Sequence, residues 1–373
     1  MPGAPVYLDY NATAPVRPEA AAAVAEALAA AGNPSSVHGF GRRARKRVED
    51  AREQVAALIG AAPADIVFTS GGTEANALAL AGAGRRRILA SAIEHDSVLA
   101  AAAALDPETP RIPVARSGVV DLDALVRLLD GQGGATLVSV MLANNETGVI
   151  QPVAEIARRA HAAGALVHCD AIQAAGKIPV DVPALGADLV SLSAHKLGGP
   201  QGVGALYVAE GIALAPLLRG GGQERGRRAG TENVPGIAGF GAAAAAAQSG
   251  LAESARIAAL RASLEAAVLA RPNRASIAGA DSSRLPNTSC IVLPGVPSET
   301  QVMALDLAGV AVSAGSACSS GKVKASHVLA AMGFAPEEAG AAIRVSLGWS
   351  STRADVERFV EAWGAVAARR AAA

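Results

Sequence analysis

Short apolar runs alternate with stretches of helical periodicity along the first 210 residues. The apolar runs are of strand length and carry no polar face; they cover 66–70, 87–91, 136–142, 165–171, 188–195 and 204–209. Helical spacing follows in the intervening segments 74–83, 97–105, 121–130 and 153–163. Wholly apolar strands separated by helices are typical of a mainly parallel sheet covered on both faces. The pattern therefore predicts an α/β fold with right-handed crossovers.

The pattern changes near residue 235. A long Ala-rich helix is expected over 236–271, followed by strands at 288–293, 310–313 and 342–347. A closing helix is expected over 352–369, with Ser351 or Thr352 as its N-cap ahead of Asp355. Single cores stop growing at roughly 250–300 residues, so two are expected here. We predict a large domain over 12–250 and a smaller α+β domain formed by 1–11 with 251–373.

Composition and charge narrow the class of protein. The chain is 51% hydrophobic and 18% charged, and its 33 basic and 33 acidic residues cancel. A neutral chain gives no reason to expect a nucleic-acid or membrane partner. The basic run at 42–47 lies in a segment of helical pattern that also carries Glu49, Asp50 and Glu53, which favours a solvated helix face. The first residues resemble no signal peptide, and the apolar stretch 237–247 is too short for a bilayer, so we expect a cytoplasmic protein.

The three cysteines have different surroundings. Cys169 and Cys290 lie in apolar runs and are expected to be buried small hydrophobes. Cys318 lies in the small, polar segment SAGSACSSGK, which predicts a loop. The spacing of the three fits neither a metal clip nor a disulfide framework. An exposed thiol in a reducing compartment is either accidental or chemical, and Cys318 is the candidate for chemistry.

Polar groups follow the first predicted strands at the edge where ligands of α/β sheets bind. Ser70-Gly71-Gly72-Thr73 separates a strand from a helix, which suits a phosphate but suits a tight turn capped by Thr73 equally well. His95 follows the next strand. It could stack on a flat ring or move protons, or it could be a helix-entry histidine bonded locally.

Three further strand ends carry polar groups. Asn145 lies in NNETG, which could also be a plain Asx-rich turn. Asp170 ends a buried strand and needs a cationic partner, such as a protonated pyridine nitrogen. Lys196 is a candidate Schiff-base lysine, although a surface lysine is the commoner case. Taken together, a phosphate cradle, an aromatic stacker, an amide, an acid and a lysine are what a site for pyridoxal 5′-phosphate (PLP) requires.

Ten strings extend this agreement along the chain. They are YLDYNATAPV, GNPSSVHGFG, VFTSGGTEANALA, EHDSV, NNETGVIQPV, HCDAIQAAGK, SAHKLGGPQGVGALYV, GGGQERGRRAGTENV, SAGSACSS and IRVSLG. In this order, from about residue 6 to 360, the sequence resembles the cysteine desulfurases of the NifS/IscS type. That family belongs to the class V aminotransferases and has the fold of fold-type I PLP enzymes, with a large domain built on a mixed, mainly parallel sheet.

The resemblance implies roles for residues that match the family's motifs. Lys196 would hold PLP covalently, Asp170 would pair with its pyridine nitrogen, and His95 would stack on the ring and act in proton transfer. Gln173 and Asn145 would lie near the ring hydroxyl. The phosphate would be held by the set Gly72, Thr73, Ser193 and His195.

The remaining implied roles concern substrate, subunits and sulfur. Arg344 would bind the substrate carboxylate together with Asn145, and Thr231 would reach the phosphate of a neighbouring subunit, which implies a homodimer. Cys318 would be the nucleophile. No metal site is implied within the subunit, although Cys318 could transiently ligate an iron–sulfur cluster held with a scaffold. Where many members continue differently, this chain has Lys322 and Lys324, which could lower the pKa of Cys318 or keep the loop solvated.

The expected activity is the conversion of L-cysteine to L-alanine, with the sulfur held as a persulfide on Cys318. The partner would be a sulfur-acceptor protein, either an iron–sulfur scaffold or a thiolation enzyme. Two alternatives remain open from the sequence: a selenocysteine lyase, which would use the same residues, and a related PLP aminotransferase-family enzyme, which would not need Cys318.

Overall fold

A computed structural model of the chain describes residues 5–108, 110–271, 274–315 and 325–371, without the side chains of 369–371. Within these ranges the strands are β1 Val6–Tyr7, β2 Ile66–Thr69, β3 Arg87–Ala90, β4 Thr136–Met141, β5 Leu166–Asp170, β6 Leu189–Ser193, β7 Gly204–Val208, β8 Ser276–Ile277, β9 Thr288–Val292, β10 Val310–Ala311, β11 Ser313–Ala314 and β12 Ala342–Ser346.

The α-helices of the same ranges are α1 Pro18–Leu28, α2 Gly39–Leu58, α3 Gly72–Gly82, α4 Asp96–Leu105, α5 Leu122–Leu129, α6 Val153–Ala162, α7 Val182–Leu185, α8 Val234–Ser249, α9 Ser254–Leu269, α10 Ser298–Leu307, α11 His327–Ala331, α12 Pro336–Ala339 and α13 Arg353–Ala371. The basic run lies in α2 and is exposed at Arg42, Arg43, Arg45 and Lys46, as the prediction of a solvated helix face requires.

The predicted apolar strands form the largest sheet, in the order β2-β7-β6-β5-β4-β3. Strands β3, β4, β5 and β6 are mutually parallel, while β7 is antiparallel to both of its neighbours. Strand β2 therefore runs in the same direction as β6. The carboxyl ends of β2 to β6 consequently meet at one edge of the sheet, which confirms the predicted α/β class and brings the polar segments that follow these strands together.

Both faces of this sheet are covered. On one face Val138, Val167 and Val190 pack into a core that includes residues of α2, α6 and α8. On the other face Leu137 and Leu189 pack against residues of α3 and α4. Because each strand is buried on both sides, both alternating sets of its side chains are mostly apolar. This explains why the strands have no alternating pattern in the sequence.

The C-terminal part contains an antiparallel sheet in the order β11-β12-β9-β8. The N-terminal strand β1 pairs in parallel with β10 in a separate two-stranded sheet. A second core gathers Val6 and Leu8 with Phe359 and Trp363 of α13. Residues of α9 belong to this core, whereas residues of α8 belong to the core of the large sheet. The division into 12–250 and 1–11 with 251–373 stays a prediction that these packing patterns favour.

Two boundary predictions were wrong. The expected single helix 236–271 is two helices, α8 and α9, joined by a 3₁₀ turn at Gly250–Glu253; glycine inside a helix costs about 1 kcal/mol relative to alanine, so Gly250 favours the break. The expected strand 310–313 is divided between β10 and β11, which belong to different sheets. At α13 the cap is Thr352, whose Oγ1 accepts from the Asp355 N–H at 3.3 Å.

Candidate active site

A cavity of about 300 Å³ lies at the carboxyl edge of the large sheet. Most of the predicted site residues line it, namely Gly72, Thr73, His95, Asn145, Asp170, Gln173, Ser193, His195, Lys196 and Arg344. The size suits a small-molecule ligand. All but Arg344 follow or end strands of the large sheet, and Arg344 comes from β12 of the second sheet. The cavity therefore lies between the two sheets.

The first turn of α3 forms one wall of the cavity. Gly71 precedes the helix with φ +154°, a conformation that side chains rarely adopt. At Gly72 an added Cβ would meet the end of the Ile172 side chain, so a larger residue would require Ile172 to move. The backbone N–H groups of the helix start are thus open to the cavity beside the Thr73 hydroxyl. Such a helix N-terminus favours a phosphate group.

The segment after β6 supplies the facing groups. Ser193 is the last residue of β6, and His195 and Lys196 lie in the 3₁₀ turn that follows it. His195 Nδ1 lies 3.2 Å from the Thr13 hydroxyl oxygen. Burial, together with the charge of Lys196, lowers the pKa of His195 to about 4. The ring is therefore neutral near pH 7, and it can offer one N–H to an anion.

Lys196 is held by the N-terminal segment of the chain. Its Nζ donates to the carbonyl oxygens of Asn11 and Ala12, both at 2.8 Å. Two neutral carbonyls orient the amine without supplying a negative charge beside it. The side chain is thereby aimed along the cavity wall while its nitrogen can still change partners.

Asp170 ends β5 and is 5% exposed. Its Oδ1 accepts from the Ile172 N–H at 3.0 Å, and its Oδ2 accepts from Nδ2 of Asn76 at 2.9 Å. Burial raises the pKa of Asp170, although these two hydrogen bonds and the charges of His95 and Lys196 oppose the rise. A buried carboxylate of this kind gains most from a cationic group placed against it.

His95 is the N-cap of α4. Its Nδ1 accepts from the backbone N–H of Ser97 at 3.1 Å and lies 2.8 Å from Ser97 Oγ. Burial lowers the pKa of His95 below its usual value. The local helix-entry bond that the sequence allowed is therefore formed, and the ring also lines the cavity; stacking on a flat ring or proton transfer by His95 stays a prediction.

The NNETG segment also serves two purposes. Asn144 is fully buried, and its Oδ1 accepts from the N–H groups of Glu146 and Thr147, both at 2.9 Å. This is the Asx turn that the sequence allowed. Asn145, by contrast, lines the cavity. The turn formed by Asn144 therefore determines where Asn145 lies.

Gln173 is tied to the same N-terminal segment as Lys196. Its Nε2 donates to the Asn11 carbonyl at 2.9 Å, and its Oε1 accepts from Lys177 Nζ at 2.6 Å. Lys177 also donates to Asn11 Oδ1 at 2.8 Å. Burial lowers the pKa of Lys177 well below its usual value, and the nearby charge of Lys196 adds to the effect. Asn11 thus connects Gln173, Lys177 and Lys196.

Arg344 reaches the cavity from β12. Its Nη2 donates to Asp9 Oδ1 at 2.8 Å, and Nη1 donates to the Asn145 carbonyl at 3.2 Å. Its Nε is buried and has no hydrogen-bond partner in the described part of the chain. A second bond, from Ser313 Oγ to Asp9 Oδ2 at 2.8 Å, fixes the carboxylate that holds the arginine. A guanidinium with an unused buried donor is suited to a carboxylate ligand.

Of the remaining predicted residues, one cannot be placed and the other lines a different cavity. Cys318 lies outside the described residues. Thr231 lines a different cavity of about 250 Å³, with Phe68, Thr69 and Ser70. As predicted, Cys169 and Cys290 are both fully buried. Burial raises the pKa of the Cys290 thiol to about 12, and it also raises that of Cys169.

The residues present fit PLP. The glycine-built start of α3 with Thr73 suits its phosphate, Asp170 suits a protonated pyridine nitrogen, and the Lys196 amine suits its aldehyde. The clearest structural sign is that the start of α3, the Asp170 carboxylate and the Lys196 amine line one cavity.

Sequence reasoning missed Asn11, Ser97 and Asn76 as parts of the site. Asn11 and Ser97 line the cavity, and Asn76 is a fully buried amide bonded to Asp170. All three stand inside strings that carried the family resemblance, YLDYNATAPV, EHDSV and VFTSGGTEANALA. Membership of these strings was the signal from which the three residues could have been found.

Comparisons with known proteins agree with this geometry. The family model described as Aminotransferase class-V matches residues 6–359. A cysteine desulfurase of Cereibacter sphaeroides is 46% identical over 95% of this chain and 94% of its own length. A cysteine desulfurase IscS of Dictyoglomus turgidum is 43% identical over 95% and 94%. The X-ray structure of a NifS-like protein from Rickettsia africae ESF-5 superposes with a TM-score of 0.90 at 38% identity, covering 97% of this chain and 99% of that one.

Two kinds of feature are missing from the described residues. They contain no group of three or more His, Cys, Asp or Glu side chains placed to hold a metal ion. Nor does any helix among them have the length and apolar character needed to cross a membrane.

Proposed function

The chain belongs to the class V aminotransferase family and, within it, to the cysteine desulfurases; we propose that it uses PLP to convert L-cysteine to L-alanine and holds the sulfur as a persulfide on Cys318. The observation that carries the proposal is the joint presence of the Lys196 amine and the Asp170 carboxylate in one cavity, facing the phosphate cradle at the start of α3. The fold is that of fold-type I PLP enzymes.

PLP, when bound, supplies an aldehyde for the substrate amine and an electron sink for negative charge at Cα. The chain's residues hold it in place: Gly72, Thr73, Ser193 and His195 bind the phosphate, and Asp170 keeps the pyridine nitrogen protonated. That pairing lowers the cost of burying the carboxylate, because the raised pKa of Asp170 comes mainly from burial.

Arg344 binds the carboxylate of L-cysteine, and Asp9 orients the guanidinium for this task. Lys196 takes the proton from Cα once its amine has been released by the substrate. Its position against the Asn11 and Ala12 carbonyls keeps the amine within the cavity during this step. As a general base, the amine must be unprotonated when it acts.

Cys318 completes the reaction as a thiolate. Its sulfur forms a bond to the substrate sulfur, and the substrate C–S bond breaks with its electron pair remaining on carbon. The carbon takes up protons and leaves as L-alanine, while the second sulfur stays on Cys318. We propose an acceptor protein, an iron–sulfur scaffold or a thiolation enzyme, as the destination of that sulfur.

Replacing the lysine tests the cofactor site. Lys196→Ala should lose the yellow colour of the purified enzyme and all alanine release, because no other lysine replaces it as the covalent partner. Lys46→Ala is the matched control, since Lys46 is exposed and pairs only with Asp50; it should keep both properties. A Lys196→Ala enzyme that still forms a borohydride-reducible lysine adduct at normal yield would contradict the assignment.

We further propose a homodimer in which Thr231 serves the other subunit. The support is that Thr231 does not line the cavity of its own protomer. Mixing Lys196→Ala chains with Thr231→Ala chains, after denaturation and joint refolding, should restore some alanine release, since one site of each mixed dimer then carries neither defect. The mixture should stay as inactive as its parents if each protomer supplies its own Thr231.

A further inference from the structure

The direction of one hydrogen bond fixes the state of the His95 ring. The backbone N–H of Ser97 donates to His95 Nδ1 at 3.1 Å. A backbone N–H can only donate, so Nδ1 must present a lone pair. In the neutral imidazole the single proton is then on Nε2. That nitrogen makes no hydrogen bond among the described residues, while the ring itself lines the cavity.

A second set of bonds reaches Nδ1 of His95 through side chains. Asn76 is fully buried, and its Nδ2 donates to Asp170 Oδ2 and to Ser97 Oγ, each at 2.9 Å. The amide nitrogen must be the atom facing Asp170, because the amide oxygen would repel the carboxylate. Ser97 Oγ accepts from Asn76 and so has its own hydrogen left for His95 Nδ1, 2.8 Å away. Every bond from Asp170 to His95 therefore has a defined direction.

We propose that Ser97 and Asn76 are positioning residues that hold His95 as a neutral imidazole with its proton on Nε2, so that His95 offers an N–H donor to the cavity and accepts no proton there. The surroundings favour the neutral ring. Burial is the largest effect and lowers the pKa of His95; Lys196 and His327 act in the same direction, and Asp170 and Asp96 oppose it. The N-terminus of α4, which His95 caps, further disfavours a cation.

This state changes the role that the family resemblance gave to His95. A neutral ring with a proton on Nε2 cannot take the Cα proton through that nitrogen. It can stabilise negative charge that develops on the substrate, as a fixed N–H donor does in other enzymes. The base at Cα is then Lys196 alone. The consequence for the reaction rests on the proposed function, but the state of the ring does not.

Nuclear magnetic resonance of the holoenzyme labelled at histidine nitrogens tests the proposal. The chain has six histidines, and the His95→Gln variant identifies the resonances of His95. The expected result is an unprotonated Nδ1 and a protonated Nε2 throughout the range from about pH 6 to pH 9, where an ordinary histidine titrates. A protonated Nδ1, or an imidazolium at about pH 7, would overturn the proposal whether or not the enzyme releases alanine.

Variants of Ser97 separate positioning from mere packing. Ser97→Thr keeps the hydroxyl and should leave the His95 spectrum unchanged. Ser97→Ala keeps the backbone donor but removes the hydroxyl donor, so the midpoint for imidazolium formation should rise by about one pH unit. Asn76→Ala, which frees the Ser97 hydroxyl to turn away, should shift the midpoint in the same direction. If all three variants titrate like the wild type, the two residues do not position the ring.

Discussion

Two groups of buried polar side chains, one inside the large sheet and one at the cavity between the two sheets, differ in how completely they are hydrogen-bonded. In the interior, His168 of β5 lies between Ser139 and Ser191, with a hydroxyl within 2.8 Å of Nδ1 and another within 2.9 Å of Nε2. At the cavity, Arg344 of β12 keeps a buried Nε without a partner in the described part of the chain.

The difference teaches how to distinguish structural from functional polar groups. A buried polar group normally has all its partners, because leaving one unpaired costs about 1–3 kcal/mol. His168 meets this requirement within the chain, through the hydroxyl groups of Ser139 and Ser191. At Arg344 the Nε meets it only with a ligand, and because Arg344 lines the cavity this unpaired donor indicates a binding site. Burial alone does not distinguish the two groups, because His168 and Arg344 are both buried.

The largest effect is expected where the incomplete group meets the substrate. Arg344→Lys keeps the charge but loses the planar, bidentate donor. We expect kcat/KM for L-cysteine to fall about 10- to 100-fold, mainly through KM, because a hydrogen bond to a charged group contributes about 1.5–3 kcal/mol. Steady-state alanine release measures it.

The exposed Arg353, which pairs with Glu357 on α13, offers a control. Arg353→Lys should leave kcat/KM unchanged. If Arg344→Lys also leaves kcat/KM unchanged, the substrate carboxylate is bound elsewhere, and the unpaired Nε of Arg344 does not mark its binding site.

A smaller effect is expected at His168, whose two ring nitrogens both have partners. It concerns the stability of the fold and not the activity. Burial lowers the pKa of His168 to about 3. In the unfolded chain histidine titrates near 6.5, so between about pH 3 and 6.5 the unfolded chain binds more protons than the folded one. His168 therefore does not lower the free energy of unfolding above this window, and the free energy of unfolding falls as the pH drops through it.

His168→Gln removes this proton-binding difference. The wild type should lose about 2 kcal/mol more of its free energy of unfolding than the variant between pH 7 and pH 5. Urea unfolding at both pH values measures the difference, and the folded variant should still release alanine. Equal losses in both proteins would show that His168 does not remain neutral in the fold.

The sequence predicted well whatever depends on local pattern. The mainly apolar strands were predicted within about one or two residues, and their expected common direction predicted that His95, Asp170 and Lys196 lie at one edge. Capping by Thr352 was also readable, since Asp355 stands three residues on.

What depends on distant pairing could not be predicted. Asn11 joins the site because β1 pairs with β10 and because Asp9 bridges to Ser346 on β12. No local signal couples Asp9 to Arg344, which lies 335 residues away in the chain. The break at Gly250 was hidden by alanines on both sides, which favour helix equally and so carry no boundary information.

The central claim is that Cys318 carries the sulfur. Cys318→Ser should still bind PLP and L-cysteine, and L-cysteine should still change the visible spectrum, because those steps need Lys196 and Asp170 but no protein thiol. Alanine release should fall on the order of a thousandfold or more, since a hydroxyl is far less ionised than a thiol and forms no persulfide. Cys169→Ala and Cys290→Ala, which remove the two buried thiols, should keep their activity.

The most direct measurement is mass spectrometry of the wild-type enzyme after a single turnover with L-cysteine. The account predicts about 32 Da added to the peptide that contains Cys318, and to no other peptide. Sulfur found on Cys169 or Cys290 instead, or a Cys318→Ser enzyme that releases alanine at the wild-type rate, would contradict it.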